Sequence, residues 1–583
     1  MNTPGPEGPG GAEPIASRGL GILRDAVAHL RDEAASAGLT LDVPGVADAR
    51  AARAALVDQI DDYLLPRLSS LDAPLLAVVG GSTGAGKSTL VNSLVGDVVS
   101  RAGVLRPTTS APVLVHHPGD APWFADQRIL PGLGRVTGAV PAEAPQDPSS
   151  VRLVDSARMA RGLAILDAPD IDSVVTRNRD LAGQLLAAAD MWIFVTTAAR
   201  YADAVPWDLL RQAAERGTSV AIVLDRVPSE AIGEIRAHLG QMLQQQGLGQ
   251  APVFSIAESA LDPRGILPDD QIGPLRDWLR ALAEDAEERA AVVRQTLTGA
   301  LDALETRAGA LATSVEDQHN AAAALLSEVD RAYHDALDQV ARDVSDGTLL
   351  RGEVLARWQE FVGTGELFKQ VESTVSRLRD RLTSFVRGRR DEPEPLGEAL
   401  QTGASAMVTA QAQRAAATAA RAWRTSPGGA AVLERHPDLA RSAPDLDTRV
   451  ERLVRDWQAG IFDMVRTEGK DRRAAAKGLA YGVNGLGLAL MLVTFASTGG
   501  ITGAEVGIAG GSAVLAQKIL EAIFGDETVR RLAAKARENL VRGVRELFDA
   551  EALRYRRALE DAMTDAGQAA RLREAASAVK AAR

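Results

Sequence analysis

The sequence predicts two architectures in one chain: an α/β phosphate-binding-loop domain with a mostly parallel sheet and helices on both faces, then a large all-α helical bundle. Three observations predict it. The apolar run Leu75–Val79 ends in Gly-Gly-Ser-Thr-Gly-Ala-Gly-Lys-Ser-Thr over residues 80–89, the strand, glycine turn and helix start of a phosphate-binding loop. Apolar runs ending at Val79, His116, Leu166, Val195, Leu224 and Ser255 alternate with helical stretches, the rhythm of a parallel sheet. Beyond residue 272 apolar side chains recur at steps of three and four with charges between them, as in packed helices.

The bulk numbers agree. A chain of 583 residues exceeds what one core organises. With 46% hydrophobic and 24% charged residues the composition is globular, and a net charge of −12 argues against a nucleic-acid partner. Cysteine is absent, which excludes disulfides, thiolate metal sites and cysteine catalysis. No secretory signal is visible, so the expected location is cytoplasmic.

In chain order, residues 1–14 are Gly/Pro/Glu-rich and expected to be disordered. Residues 15–72 read as helices, from Leu20, Leu23, Val27 and Leu30 and then Leu56, Ile60 and Tyr63; they are expected to join the helical stalk. Residues 73–270 form the α/β domain, interrupted by the Pro/Gly-rich stretch 118–155, which reads as a long functional loop. Residues 271–477 are stalk, with seams at Leu297, Leu301, Leu304, Ala308, Leu311 and Val315 and at Leu326, Val329, Tyr333, Leu337, Val340 and Val344. Residues 518–583 return as a C-terminal stalk helix.

Between them, 478–517 is an apolar segment: Gly478 to Ala504 is 27 residues without a charge. Its dense part, Leu486 to Ala496, is shorter than the roughly 20 residues a span needs, and glycines dilute the rest. It reads as a hairpin that dips into a bilayer, with Arg466, Lys470, Arg472, Arg473 and Lys477 placed to meet anionic headgroups. The alternative is a helical hairpin buried within the bundle. A second basic cluster, Arg377 to Arg390, reads as a solvated helix face or a further lipid contact.

The chemistry gathers around the glycine loop. Backbone N–H groups of Gly81, Ser82, Thr83, Gly84, Ala85 and Gly86, with Lys87, Ser88 and Thr89 at the helix start, form an anion nest backed by the positive helix end. Lys87 reaches the β- and γ-phosphates, and the Ser88 hydroxyl ligates Mg²⁺. The strand Leu163–Asp167 presents the Asp167 carboxylate to the same ion. A threonine in Arg106-Pro-Thr-Thr109 closes over the terminal phosphate with its hydroxyl on Mg²⁺; Thr109 is the candidate and Thr108 its rival.

Together, Gly-Gly-Ser-Thr-Gly-Ala-Gly-Lys-Ser-Thr (80–89), Leu-Arg-Pro-Thr-Thr (105–109) and Leu-Asp-Ala-Pro-Asp (166–170) resemble the bacterial dynamin-like GTPases, of actinobacterial type. The resemblance implies a P-loop GTPase that binds and hydrolyses GTP with Mg²⁺, self-associates or pairs with a paralogue, and couples turnover to binding or remodelling of an anionic membrane. It implies that Lys87, Thr109 and Asp167 carry catalysis, that Ser88, Thr109 and Asp167 hold the metal, and that the apolar hairpin anchors the protein at the inner face of the cell membrane.

The chain also departs from that family. Asp170 stands where the family has a glycine, and Thr83 and Gly84 stand where dynamins carry glutamine and serine that position the attacking water. The guanine-selecting Asn/Thr-Lys-x-Asp falls on Asp225-Arg226-Val227-Pro228, without its final carboxylate; Asp225 is a substitute base contact and Arg226 a base-stacking side chain. Ser255-Ile-Ala257 marks the last base-contacting loop. Two further readings remain: a nucleotide-gated membrane scaffold with little hydrolysis, and a transporter-type ATPase, which lacks a Leu-Ser-Gly-Gly-Gln signature and has Ala168 at its glutamate position. His116 and His117 face opposite ways on a strand and do not make a metal pair. Arg200 is a surface salt-bridge residue or a trans-acting arginine, and Trp207 a packing anchor.

Overall fold

The computed structural model describes residues 15–100, 111–126, 128–138, 147, 149–171, 176–345, 394–468, 489, 492–493, 520–521, 524–560 and 565–583. The chain forms two compact units. One comprises Met1–Leu39, Gly45–Glu316 and Thr564–Arg583, the other Thr40–Pro44 and Asp317–Met563.

The first unit is built on an eight-stranded sheet. Its strands are β1 (Leu75–Gly81), β2 (Val113–His116), β3 (Gly134–Thr137), β4 (Ser150–Asp155), β5 (Leu163–Asp167), β6 (Met191–Thr197), β7 (Ser219–Val227) and β8 (Val253–Ala257). They lie in the order β3-β4-β2-β5-β1-β6-β7-β8. Every pairing is parallel except β2 with β5. All six sequence-predicted strands are present. The stretch 118–155, expected to be a loop, holds two more, β3 and β4.

Both faces of the sheet are covered, which is why the central strands read as unbroken apolar runs. Leu76 and Val78 of β1 point into one core, with Leu185, Leu210 and Leu239 from the helices on that face; Leu75, Ala77 and Val79 point into the other, with Leu90, Leu94 and Leu279. β1 sits where the strand order reverses, between β5 and β6. The crevice outside the carboxyl ends of the strands at such a switch point is where ligands bind in open α/β sheets.

The first unit extends past the expected limit of residue 270 to Glu316 and takes in the N-terminal helices. Helix Ile15–Ala35 packs against helix Gln568–Ala582. That C-terminal helix is tied to the opening part of helix Ala286–Ser345 by Lys580 to Glu305 and Arg573 to Glu316, at 2.8 and 2.6 Å. The boundary differs from the sequence reading because helical periodicity reports that a helix buries a face, not what it buries the face against.

The second unit is all helical among its described residues, with helices Glu394–Thr425, Leu446–Glu468 and Asp526–Ala558 beside the continuation of Ala286–Ser345. Its core holds the predicted seam residues Val329, Tyr333, Leu337, Val340 and Val344. Three of its buried polar side chains show how the core is tied together. Trp423 Nε1 donates to the Leu325 carbonyl at 2.9 Å and Trp457 Nε1 to that of Ala536 at 2.8 Å. Glu551, fully buried, accepts from Arg449, Arg554 and the Ala443 N–H. The segment Thr40–Pro44 is held by Gln318, which bonds both the N–H and the carbonyl of Leu41.

Of the apolar segment 478–517, Ala489, Leu492 and Val493 are described, and all three are buried in the core of the second unit. At these positions the structure has the placement that a hairpin buried within the bundle requires. The remainder, the basic residues 470–477 and the cluster 377–390 lie outside the described residues, as do residues 1–14. Among the described residues no helix is long and apolar enough to cross a membrane.

Candidate functional site

The glycine loop connects β1 to helix Lys87–Val95, and its shape follows from three glycines. At Gly81 a Cβ would lie 2.1 Å from the Val195 carbonyl oxygen of neighbouring β6, so no larger residue lets the chain leave the sheet there. Gly84 and Gly86 take φ of +72° and +93°, the left-handed region that glycine enters without a Cβ penalty. Gly86 caps the helix. The consequence is a compact turn that ends with Lys87 and Ser88 on the first helical turn. Ser82 is fully buried and its hydroxyl lacks a hydrogen-bond partner.

Lys87 is buried. Its ammonium turns back to the Gly81 carbonyl at 2.9 Å, the Ser82 carbonyl at 3.1 Å and the carboxylate of Asp170. Three residues upstream, Asp167 closes β5 in register with Val79 of β1, and this pairing brings its carboxylate to the loop. Asp167 Oδ2 accepts from the Ser88 hydroxyl at 2.7 Å and from that of Ser100, while Oδ1 is buried and without a partner. Burial pushes the Asp167 carboxyl up, against the opposing pull of the Ser100 and Ser88 hydroxyls and of Lys87.

Ser100 carries no motif and was missed in the sequence. It is placed by Asn92, whose amide oxygen accepts from the Val99 and Ser100 N–H groups and whose nitrogen donates to the Ser100 carbonyl.

The predicted base-contacting pair is turned toward the loop. Asp225 pairs with Thr197 at the end of β7, and its Oδ2 would meet a Cβ on Gly86 at 2.5 Å. The carboxylate therefore backs the glycine loop, buried, with Oδ1 unpartnered and its pKa raised chiefly by burial. Arg226 follows in an irregularity of the β7–β8 ladder, at φ +53°, and its guanidinium donates to the Gly84 carbonyl. Bulges at strand ends re-aim side chains in this way. Arg200 donates to the Thr83 carbonyl at 3.1 Å and pairs with Asp203 at 2.8 Å, so the expected salt bridge is present and a second contact adds the loop. Two arginines thus hold the outer carbonyls of the glycine turn.

Thr109 and Thr108 lie outside the described residues. Trp207 is buried among the helices that cover the sheet. His116 stacks on Phe124 at 5.1 Å and His117 accepts from the Gly119 N–H. Among the described residues no cluster of three or more His, Asp or Glu offers a metal cage.

The structure thus brings together Gly81 to Ser88, Asp167, Asp225 and Arg226 at the carboxyl edge of the sheet. No family model matches the chain, and no curated protein does. Solved structures do. Two come from an oligomerised bacterial dynamin pair described as a mechanism for long-range sensing and tethering of membranes. One is 10% identical, covering 90% of this chain and 94% of its own, with a TM-score of 0.33. The other is 11% identical over 91% and 92%, with a TM-score of 0.36. The chain is also similar to LeoA, a bacterial dynamin GTPase from ETEC, at 12% identity over 94% of this chain and 98% of that one, with a TM-score of 0.24.

Proposed function

We propose that the chain is a P-loop nucleoside triphosphatase, a dynamin-like GTPase, that uses Mg²⁺ and couples nucleotide turnover to membrane binding or remodelling. The observation that supports the nucleotide part is the placement of Asp167 against the start of the loop helix, with one buried oxygen unpartnered beside the Ser88 hydroxyl. A buried carboxylate with hydroxyl neighbours and an unused oxygen suits a hard, oxygen-loving cation. In this reading Gly81 to Thr89 hold the phosphates, Lys87 pairs with them, and Ser88, Asp167 and Thr109 hold Mg²⁺. The ion, when bound, offsets the charge of the terminal phosphates.

GTP is the proposed substrate because the three motifs resemble those of GTPases. Pro228 presents no carboxylate, and the Asp225 carboxylate is buried behind Gly86, so discrimination against ATP is expected to be shallow. Turnover is expected to be slow, since Thr83 and Gly84 offer no amide side chain to orient water and Asp170 faces Lys87.

The membrane part rests on the sequence: the charge-free stretch 478–504 and the basic residues before it. Anionic lipid, a second copy or a paralogue are the proposed partners, at the cytoplasmic face of the cell membrane. The test is phosphate release and equilibrium titration with GTP and ATP, with and without Mg²⁺ and anionic vesicles. Absence of binding by either nucleotide refutes the proposal. Undiminished vesicle co-sedimentation after deletion of 478–517 removes the apolar segment from it.

A further inference from the structure

We infer that Asp170 is an internal competitor for the terminal phosphate of the nucleotide: it pairs with Lys87, and a triphosphate has to expel it. The inference rests on the nucleotide reading above and adds to it a residue that sets how the site distinguishes triphosphate from diphosphate.

The argument starts from donor counting. An ammonium has three N–H donors and no more. In the structure Lys87 points them at the Gly81 carbonyl, the Ser82 carbonyl and the Asp170 carboxylate. The first two partners belong to the loop and move only with it. The third is a side chain, and it is the one an incoming anion can replace.

Asp170 is brought there by backbone. The Ala168 N–H donates to the Val79 carbonyl at 3.2 Å, and the Ile171 N–H approaches the Gly81 carbonyl at 3.5 Å. Residues 168–171 therefore run alongside β1 and the glycine turn, with Asp170 over Lys87. The lysine side chain is 5% exposed and that of Asp170 is 23% exposed. A carboxylate that retains access to solvent can leave; a lysine that does not must stay. An ionised pair held this way is a charge-assisted contact, stronger than a neutral one.

Lys87 in such a loop pairs with the β- and γ-phosphates. A carboxylate and a phosphate cannot share one buried ammonium without like-charge repulsion. A diphosphate presents only the nearer phosphate, so the repulsion it meets from Asp170 at Lys87 is the smaller of the two. A triphosphate brings a second anion to the place Asp170 holds. Displacement of the Asp170 side chain is then the step that distinguishes the terminal phosphate from the nearer one.

The experiment is equilibrium titration of the full-length protein with Mg-GTP and Mg-GDP, in the wild type and in Asp170→Asn and Asp170→Gly. Asparagine keeps the shape and removes the charge; glycine removes the side chain, so the two variants do not share a folding liability. The expected result is a gain of about tenfold or more in triphosphate affinity in both variants, with a gain of less than about threefold for the diphosphate. Unchanged or weakened triphosphate binding overturns the inference. An equal gain for both nucleotides also overturns it, because the competition would then be for the nearer phosphate. Failure of wild type and variants alike to bind either nucleotide refutes the nucleotide reading itself, and that outcome is distinct from the first two, in which wild type binds.

Discussion

At the amino end of the sheet Asp190 precedes β6, and at the carboxyl end Asp167 closes β5; both are completely buried. Asp190 Oδ2 accepts from the Leu76 N–H at 2.8 Å and from Arg67, itself buried and donating also to the carbonyls of Ala73 and Pro74. Asp167 accepts from two serine hydroxyls, and Lys87 is directed at Asp170 instead. Each aspartate leaves one oxygen without a hydrogen bond, so an orphaned atom does not by itself separate the two ends. Charge does. Arg67 with Asp190 sums to zero, whereas Lys87 with Asp167 and Asp170 sums to −1. The excess is carried by Asp170, which is partly exposed, beside the buried Asp167 carboxylate, and a cation lowers its cost. The neutral pair is architecture, pinning the N-terminal helices to the sheet; the unbalanced set is where the proposed reading puts an ion.

The largest test of that contrast is Arg67→Ala. It strands Asp190 in the interior, and breaking a buried pair from one side costs about 3–5 kcal/mol. Urea unfolding should show a loss of that size. A loss under about 1 kcal/mol would mean the pair is not what holds the amino end together. Lys87→Ala should behave in the opposite way. It is expected to weaken nucleotide binding by about a hundredfold, close to 2.7 kcal/mol, with the melting temperature nearly unchanged, because Asp170 is exposed enough to be solvated. An unfolded Lys87→Ala protein would place the lysine with the architecture.

Asp167→Asn sharpens the comparison further. Removing a buried charge that lacks a built-in cation should leave stability unchanged or raise it by about 1–2 kcal/mol. The rise in melting temperature on adding Mg²⁺ with nucleotide should disappear in the same variant. Asp190→Asn should instead destabilise, since Arg67 would then lose its counter-charge. Parallel behaviour of the two asparagine variants in calorimetry would erase the distinction.

The sequence made the functional end more legible than the rest, for physical reasons. A phosphate-binding loop needs glycines at fixed offsets, as Gly81 and Gly86 show, and those offsets survive as a motif. The central strands are buried on both faces and appear as apolar runs. β3 is exposed along nearly its whole length and leaves no hydrophobic pattern; β4 buries Val151 and Leu153 either side of Arg152, an alternation too short to outweigh the Pro/Gly-rich stretch around it. Ser100 depends on a turn folded by Asn92, a non-periodic arrangement with no sequence signature. Asp225 and Arg226 are assigned to the base by their place in the chain; the irregular ladder at Leu224–Val227 also sets them beside the glycine loop, which the chain order does not reveal. Helix seams were correctly placed, but which unit each helix joins depends on tertiary contacts that a repeat of three and four does not encode.

The smallest effect concerns a third carboxylate, in the same N-terminal helices as Arg67. Asp62 lies in the π-helical turn Ile60–Leu64 and accepts from Gln184 at 2.9 Å. Burial raises its pKa from 3.8 to about 6, against the pull of the Gln184 hydrogen bond and with a push from Asp58 and Asp61. The folded state therefore binds this proton more tightly than the unfolded chain. Between about pH 4 and pH 6 the native form holds the larger share of protons, so stability falls as pH rises through that window and levels off above it. The full shift corresponds to about 3 kcal/mol; partial access to solvent reduces the expected effect to about 1 kcal/mol. Asp62→Asn should flatten the pH dependence of urea midpoints across that window while leaving nucleotide affinity alone, since the residue sits with the helices that Arg67 ties to the amino end of the sheet. A variant that keeps the slope would show that another group carries it.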